Sequence, residues 1–394
     1  MRGSTRKRGS SWTAYWDIVD PLTGKRTQRS KGGFATRKAA QGHLDTVVPA
    51  SKAGVYTEPS KLTLAAFAVN EWLPARADAL KPLTYERYER VLRGHVAKRP
   101  IGAVALCNVS PGHVNALYAE LKAEGLAAST RRLSHAVLNR AMRDAVRWGK
   151  ITRNPVPLAD PPAVPSSSAK AWSERELASL LAHVAEDRLF ALWRLAAMTG
   201  ARRGELLGAS WRALDLDGAR LKIEGQVIPL TGPCAICGQT HSCSFGTVKR
   251  KRSQRTISLD AQTVAALREH RACQQLERDL AGGAYVDHDL CFADELGGPI
   301  RPQRATALCT AHRKAAGLGW GSMHTLRHTH ATHLLSAGVP LHVAAARLGD
   351  DPKVLLSVYA HLLEHSDEQA AQVAADLIDR ALTKAQAPAP VAAL

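Results

Sequence analysis

Five short stretches of this 394-residue chain carry side chains whose types and spacing could do chemistry. In MTGARRGELLGASW, residues 198–211, Thr199 and Gly200 break a preceding helix, so Arg202 stands at the start of the next. Free backbone N–H groups and the helix dipole there also favour an anion. Glu205, three residues on, shares that face and can hold the guanidinium. In HTLRHTHATHLLSAG, residues 324–338, His324 and Arg327 are at i and i+3 and offer an imidazole and a second guanidinium to one ligand. TVKRKRSQRTISL, residues 247–259, ends in strand-like alternation and places five cations in seven residues, Lys249 among them, at an expected hairpin tip. In RLGDDPKVLLSVYAHLLEH, residues 347–365, a helix ends, the chain turns at Gly349–Pro352, and a second helix carries Tyr359. Asp351 is the expected N-cap of that helix and Pro352 its first residue.

A phenol with a pKa near ~10 is a poor nucleophile at neutral pH unless its attack is assisted. Two arginines, a lysine and a histidine are what attack on a phosphodiester needs: guanidiniums stabilise charge on the nonbridging oxygens, and the other groups move protons. Each motif also has a plainer reading, as a surface Arg-Glu pair or a solvated charge run. The histidines offer a metal site as a rival, with His324 and His328 at i and i+4 and His330 and His333 nearby. There is no HExxH pattern and no acid at ligand spacing, so the others are expected to pack the helix or face DNA.

The fifth stretch, GPCAICGQTHSCSFG, holds Cys234, Cys237, His241 and Cys243 as C-x2-C-x3-H-x-C. Four soft ligands could close a tetrahedral site, so a structural Zn²⁺ is expected, stiffening the hairpin that delivers Lys249. The alternative is reduced, unliganded thiols or a labile disulfide. Cys107, Cys273, Cys291 and Cys309 are expected to be ordinary buried thiols.

These residues need elements to position them, and composition bounds what those are. Fifty-three Lys and Arg against 35 Asp and Glu give a net charge of +18, which points to a polyanion as partner. No apolar run approaches the ~20 residues of a spanning helix, so the chain is expected in the cytoplasm, on DNA, and not in a membrane. Residues 1–48 alternate like strands (SWTAYWDIV, then KRTQRSKGGF) before a short helix, with 10 Lys or Arg against 3 Asp or Glu. They read as a small basic sheet with one helix, suited to nucleic acid. Residues 49–61 read as a linker. Residues 62–156 are helical throughout, a small basic four-helix unit with starts expected at Thr84, Ser110 and Ser129. Pro- and Ser-rich 157–171 is a second linker. A third domain, 172–384, opens with a capping box at Ser173 and Glu176, alternates helices with a strand-rich patch at 219–259, and leaves 385–394 as a tail. The fold class is mainly α with small β elements, in several domains.

The ordered motifs TGARRGE, a basic β-hairpin, HTLRH, and LG followed ten residues later by YAH resemble the tyrosine recombinase family of the phage-integrase type. The resemblance covers roughly 170–384. It implies Arg202 as first arginine, Lys249 as hairpin lysine, His324 and Arg327 as the H-x-x-R pair, and Tyr359 as nucleophile, with Glu205 supporting Arg202. Residues 62–156 resemble the helical core-site-binding domain, and 1–48 the small three-stranded arm-binding domain of lambda-like integrases. The implied fold is a mixed α/β catalytic domain behind two DNA-binding domains.

The implied reaction is site-specific recombination for integration or excision of a phage or mobile element. Tyr359 forms a 3′-phosphotyrosyl link, Lys249 protonates the departing 5′-oxygen, and His324 assists the phenol. No cofactor is implied for catalysis. The implied partners are duplex DNA at core and arm attachment sites, a homo-tetramer on that DNA, and accessory DNA-bending or directionality proteins. Asp350 departs from the pattern, because the family carries His or Trp there to donate to the phosphate. An ionised carboxylate cannot donate and would repel that phosphate, so Asp350 either points away or is protonated; it is expected to serve the turn, its lost donor tolerated or replaced by a neighbour. The departure also raises a second reading, a catalytically inactive recombinase-like DNA-binding protein; a third is a zinc hydrolase built on the histidine cluster.

Overall fold

The computed structural model describes residues 3–19, 26–52, 61–164, 170–229, 232–233, 240–241, 244–247, 254–359 and 366–386. The chain divides into two compact units, Met1–Pro165 and Ser166–Leu394.

The first unit begins with an antiparallel sheet of β1 (Ser4–Arg8), β2 (Ser11–Val19) and β3 (Arg26–Phe34), in that order, followed by α1 (Arg37–Lys52). On β2, Ala14 and Trp16 point to one face, where they bury with Ala40, Leu44 and Val47 of α1 in a small core. β3 is exposed along almost its whole length, which leaves its cations in solvent. β1 was not legible in the pattern because STRKR has no apolar residue. It is a strand because it pairs with β2 through a tight turn in which Gly9 takes a φ of 58°. The helix runs to Lys52, four residues past the expected boundary.

A second core in this unit is built by α2 (Leu64–Ala66), α3 (Pro82–Val91), α4 (Pro100–Ala103), α5 (Pro111–Ala123) and α6 (Ala128–Arg147), with π-helical turns after α2 and α3. Ser110 caps α5 as expected. Thr84 and Ser129 do not start helices. Pro82, with its φ preset, opens α3 two residues before Thr84, and α6 begins at Ala128. Asp144 of α6 is buried and answered by the Trp72 Nε1–H at 2.8 Å and by Arg76. A carboxylate in that core is tolerable only because its oxygens are occupied.

The second unit opens with α7 (Glu174–His183), where Ser173 and Glu176 form the expected capping box. Then come α8 (Phe190–Thr199), α9 (Arg203–Leu207), β4 (Leu214–Asp215), β5 (Arg220–Ile223), β6 (Gly225–Ile228), β7 (Gly232–Pro233), β8 (Thr240–His241), β9 (Ser244–Thr247) and β10 (Arg255–Ser258). Five helices follow: α10 (Ala261–Ala281), α11 (Pro302–Ala315), α12 (Met323–Ser336), α13 (Leu341–Leu348) and α14 (Pro352–Tyr359). The last described element is α15 (Ser366–Gln386).

β10, β5 and β4 form one antiparallel sheet, and β6 pairs with β9 in a separate ribbon. The cysteine-bearing segment falls between the two paired strands β6 and β9, as expected, but the KRKR run lies in the chain between β9 and β10, strands of different sheets, which corrects its expected place at the hairpin tip. The main core gathers Trp172, Trp193, Leu192, Leu221 and Phe292. A smaller one joins Ala331 and Leu335 of α12, Ala344, Ala345 and Leu348 of α13, and Leu355 and Tyr359 of α14. Cys291 and Cys309 are buried, but Cys107 and Cys273 are exposed, against expectation, because each falls on a solvent-facing helical position.

Candidate active site

Three helix ends converge on one small volume. α8 stops at Gly200, whose φ of 60° is left-handed. A side chain there would strike Leu348 and His330 at under 3 Å, so this glycine permits the close approach of α8 to α12 and α13. The reversal makes Arg202 the N-cap residue of α9. Its backbone N–H donates to Glu205 Oε2 at 3.0 Å, and its Nη1 donates to Oε1 at 2.8 Å. Glu205 is only 2% exposed and also accepts from Arg255 Nη2 at 2.9 Å. Burial alone would raise its pKa; Arg255 and Arg202 outweigh that and hold it below the ordinary carboxylate range.

Arg327 projects from α12, nearly buried. Its Nη1 donates to Gly200 O at 2.8 Å and its Nη2 to Leu348 O at 2.9 Å. α13 ends at Gly349, again left-handed, which turns the chain so that Gly349 O accepts from Arg202 Nη2 at 3.1 Å. Asp351 accepts from Lys353 N as the cap of α14.

Asp350 overturns its expected role. Its backbone N–H caps α13, but its side chain points inward and spans both arginines. Oδ1 accepts from Arg202 Nη2 at 2.5 Å, and Oδ2 accepts from Arg327 Nη2. Sequence spacing could not show this, because only the two left-handed glycines bring Arg202, Arg327 and the turn together.

Tyr359 ends α14 and is 3% exposed. Its hydroxyl lies 2.6 Å from His328 Nδ1 and 3.5 Å from the His328 carbonyl. The ring tautomer sets the direction of the 2.6 Å contact: with the ring proton on Nε2 the phenol donates to Nδ1, and with it on Nδ1 the ring donates to the phenol oxygen. Burial pushes the phenol up to about 12; Asp350 adds to that, and Arg327 pulls the other way. Desolvation and the Arg327 charge push His328 below its usual range, toward the neutral ring. His324, expected at the phenol, instead sets its ring edge-on to His328 with centroids 4.6 Å apart. It is exposed, and desolvation together with His328 and Arg327 also favours its neutral form.

His328 and Arg255 are the site residues that motif reading passed over. His328 had one signal, the i, i+4 spacing from His324, which served only to weigh a metal site. Arg255 stood in plain view as the first residue of RTISL, but its Glu205 contact depends on β10 meeting α9. The remaining histidines pack: His330 accepts from Arg347 Nε at 3.1 Å, and His333 Nε2 lies 3.1 Å from Trp172 O.

Lys249, Cys234, Cys237 and Cys243 lie outside the described residues, and of His241 only the backbone, in β8, is described. Among the described residues no group of three or more His, Cys, Asp or Glu could hold a metal ion.

Two guanidiniums on one anion, beside a tyrosine held by an imidazole, form an arrangement suited to phosphoryl transfer. Residues 171–365 match the phage integrase family, and residues 4–47 match an arm DNA-binding domain. A "tyrosine recombinase XerC-like" protein of Caldanaerobacter subterraneus subsp. tengcongensis is 25% identical over 360 residues, 87% of this chain and 90% of that protein. An integrase of Streptomyces ambofaciens is 29% identical over 343 residues, 86% of each. The fold is similar to that of Tn1549 transposon integrase in complex with transposon right end DNA, with a TM-score of 0.66, 18% identity, and 79% and 98% of the two chains covered. It is also similar to a lambda integrase tetramer bound to a Holliday junction, with a TM-score of 0.54, 19% identity, and 86% and 89% covered. The chain belongs to the tyrosine recombinase family of the phage-integrase type, enzymes that cleave and rejoin DNA.

Proposed function

We propose that the protein is a site-specific integrase that exchanges DNA strands through a 3′-phosphotyrosyl intermediate made by Tyr359. The observation that carries this reading is the convergence of Arg202 and Arg327 on one anion position, with the Tyr359–His328 pair near enough for the Arg327 charge to act on the phenol. In the cleavage step the Tyr359 oxygen bonds to phosphorus and its proton passes to His328 Nδ1. Arg202 and Arg327 hold the nonbridging oxygens, and the phosphorus–O5′ bond breaks, with Lys249 as donor to the departing oxygen. The 5′-hydroxyl of a partner strand reverses the step and the proton returns to the phenol. His324, neutral and exposed beside His328, serves the phosphate rather than the phenol. Glu205 and Arg255 fix Arg202.

Residues 1–48 hold arm-type sites in this reading, 62–156 hold the core site, and 172–384 cut. The basic β3 face and the net charge of +18 support duplex DNA as the partner. Self-association on DNA is supported by α15, which exposes Leu377, Ile378 and Leu382 to a second copy of the chain. Cys234, Cys237, His241 and Cys243 are assigned to a structural zinc that stiffens the β6–β9 ribbon.

The test is a nicked duplex spanning the attachment core, resolved after denaturation. Wild type forms a covalent protein–DNA adduct, while Tyr359→Phe binds the duplex and forms none. An adduct from Tyr359→Phe removes the nucleophile assignment, and binding without adduct by wild type establishes the inactive alternative.

A further inference from the structure

The Asp350 carboxylate sits where a phosphate would have to sit. Arg202 Nη1 donates to Glu205 and Arg327 Nη1 to Gly200 O, while each Nη2 gives one hydrogen to a turn carbonyl, Gly349 O or Leu348 O, and turns the other toward the point between the two arginines. The two Nη2 atoms are the ones Asp350 holds, one with each oxygen, as two nonbridging phosphate oxygens would hold them. We propose that Asp350 is an internal surrogate for the scissile phosphate, a positioning residue that holds the two arginines in register without DNA and is displaced when the phosphate enters.

The physical case has three parts, and it rests on the recombinase reading only for the identity of the displacing anion. First, two guanidiniums aimed at one point repel, and Arg327 is 5% exposed, so an empty seat would leave a buried cation without a charge partner. Second, the carboxylate and a phosphodiester cannot share the seat, because both need the same donors and carry like charge. Third, Asp350 lies in the short turn between α13 and α14, and α14 ends in Tyr359, whose phenol is buried against His328. Expelling Asp350 pulls on the start of the helix that carries the nucleophile. Phosphate entry and release of the phenol thereby become one event, and the enzyme stays closed until DNA supplies an anion.

The experiment uses inorganic phosphate as the probe, with thermal unfolding of the full chain in phosphate or in chloride of equal ionic strength. Wild type, its seat filled, gains no more from phosphate than the general salt effect. Asp350→Ala gains a saturable rise of roughly 3 °C at tenfold excess over the dissociation constant, and the double variant Arg202→Ala, Asp350→Ala loses that rise. Asp350→Asn, which keeps the shape and removes the charge, gives the same answer should the alanine variant fail to fold. On the nicked duplex, Asp350→Asn reaches half-saturation at about tenfold lower DNA concentration. A phosphate response of Asp350→Asn or Asp350→Ala equal to wild type overturns the proposal, as does weaker DNA saturation. The phosphate measurement needs no catalysis, so it stands apart from failure of the nucleophile assignment, which the Tyr359→Phe adduct reports.

Discussion

Replacing His328 by Gln separates proton acceptance from hydrogen bonding. The Gln side-chain oxygen can still accept a hydrogen bond from the Tyr359 hydroxyl, but it cannot take the proton. With the phenol pushed up to about 12, roughly one molecule in 10⁴ carries phenolate at about pH 8 without a base. A base already in contact at 2.6 Å removes that penalty during attack, and general-base catalysis of this kind contributes about 10²–10⁴-fold. The expected loss for His328→Gln is therefore about 10²- to 10³-fold in the single-turnover rate of adduct formation on a nicked duplex, with DNA binding unchanged. The pH dependence carries the sharper signature. His328 is held toward its neutral form, so the wild-type rate falls only in acid, as the ring gains a proton, and is flat above. In the variant the rate follows the phenolate fraction and climbs about tenfold per pH unit between about pH 7 and 9, closing much of the gap. A variant within about threefold of wild type, or one whose profile runs parallel to it, refutes His328 as the acceptor.

Glu205→Ala leaves Arg202 and Arg255 without their shared buried carboxylate and is expected to cost about 3–5 kcal/mol in urea unfolding; a change under about 1 kcal/mol contradicts the pairing. His330, pushed down to about 4 by desolvation and by the Arg347 charge, is depressed relative to its unfolded value of 6.5. The folded state thus binds fewer protons. The stability His330 contributes is complete above about pH 6.5 and is lost as pH falls toward about 4, on the order of 3 kcal/mol at most. His330→Gln keeps the acceptor for Arg347 and flattens the melting curve of Tm against pH across that window; an unchanged slope removes His330 as the cause. Protein purified without chelator is expected to carry one zinc per chain and to lose it when Cys234 and Cys237 are both replaced by Ser. Elemental analysis well below one zinc in wild type ends that assignment.

The sequence alone determined the chemistry available and most of the elements that present it. Arg202 at a helix start follows from Thr199–Gly200, the α7 and α5 caps follow from Ser173 with Glu176 and from Ser110 with Pro111, and the two-turn run from Pro352 to Tyr359 follows from the Asp351 cap. All are local, and capping and φ preference act within a few residues. Only the tertiary structure decided what meets across long separations. β1 is a strand because of its partner, and the ribbon that the cysteine segment closes is set by which strands pair. The histidine at the phenol is His328 rather than His324 because α14 packs on that side of α12, a choice of helix rotation that a three-residue or four-residue spacing leaves open. Asp350 changed most. As a letter in a turn it could only be expected to cap. Its place across Arg202 and Arg327 exists because Gly200 and Gly349, both left-handed, fold two chain reversals onto the same point, and a carboxylate one residue beyond the second reversal is then the nearest anion to a pair of converging cations.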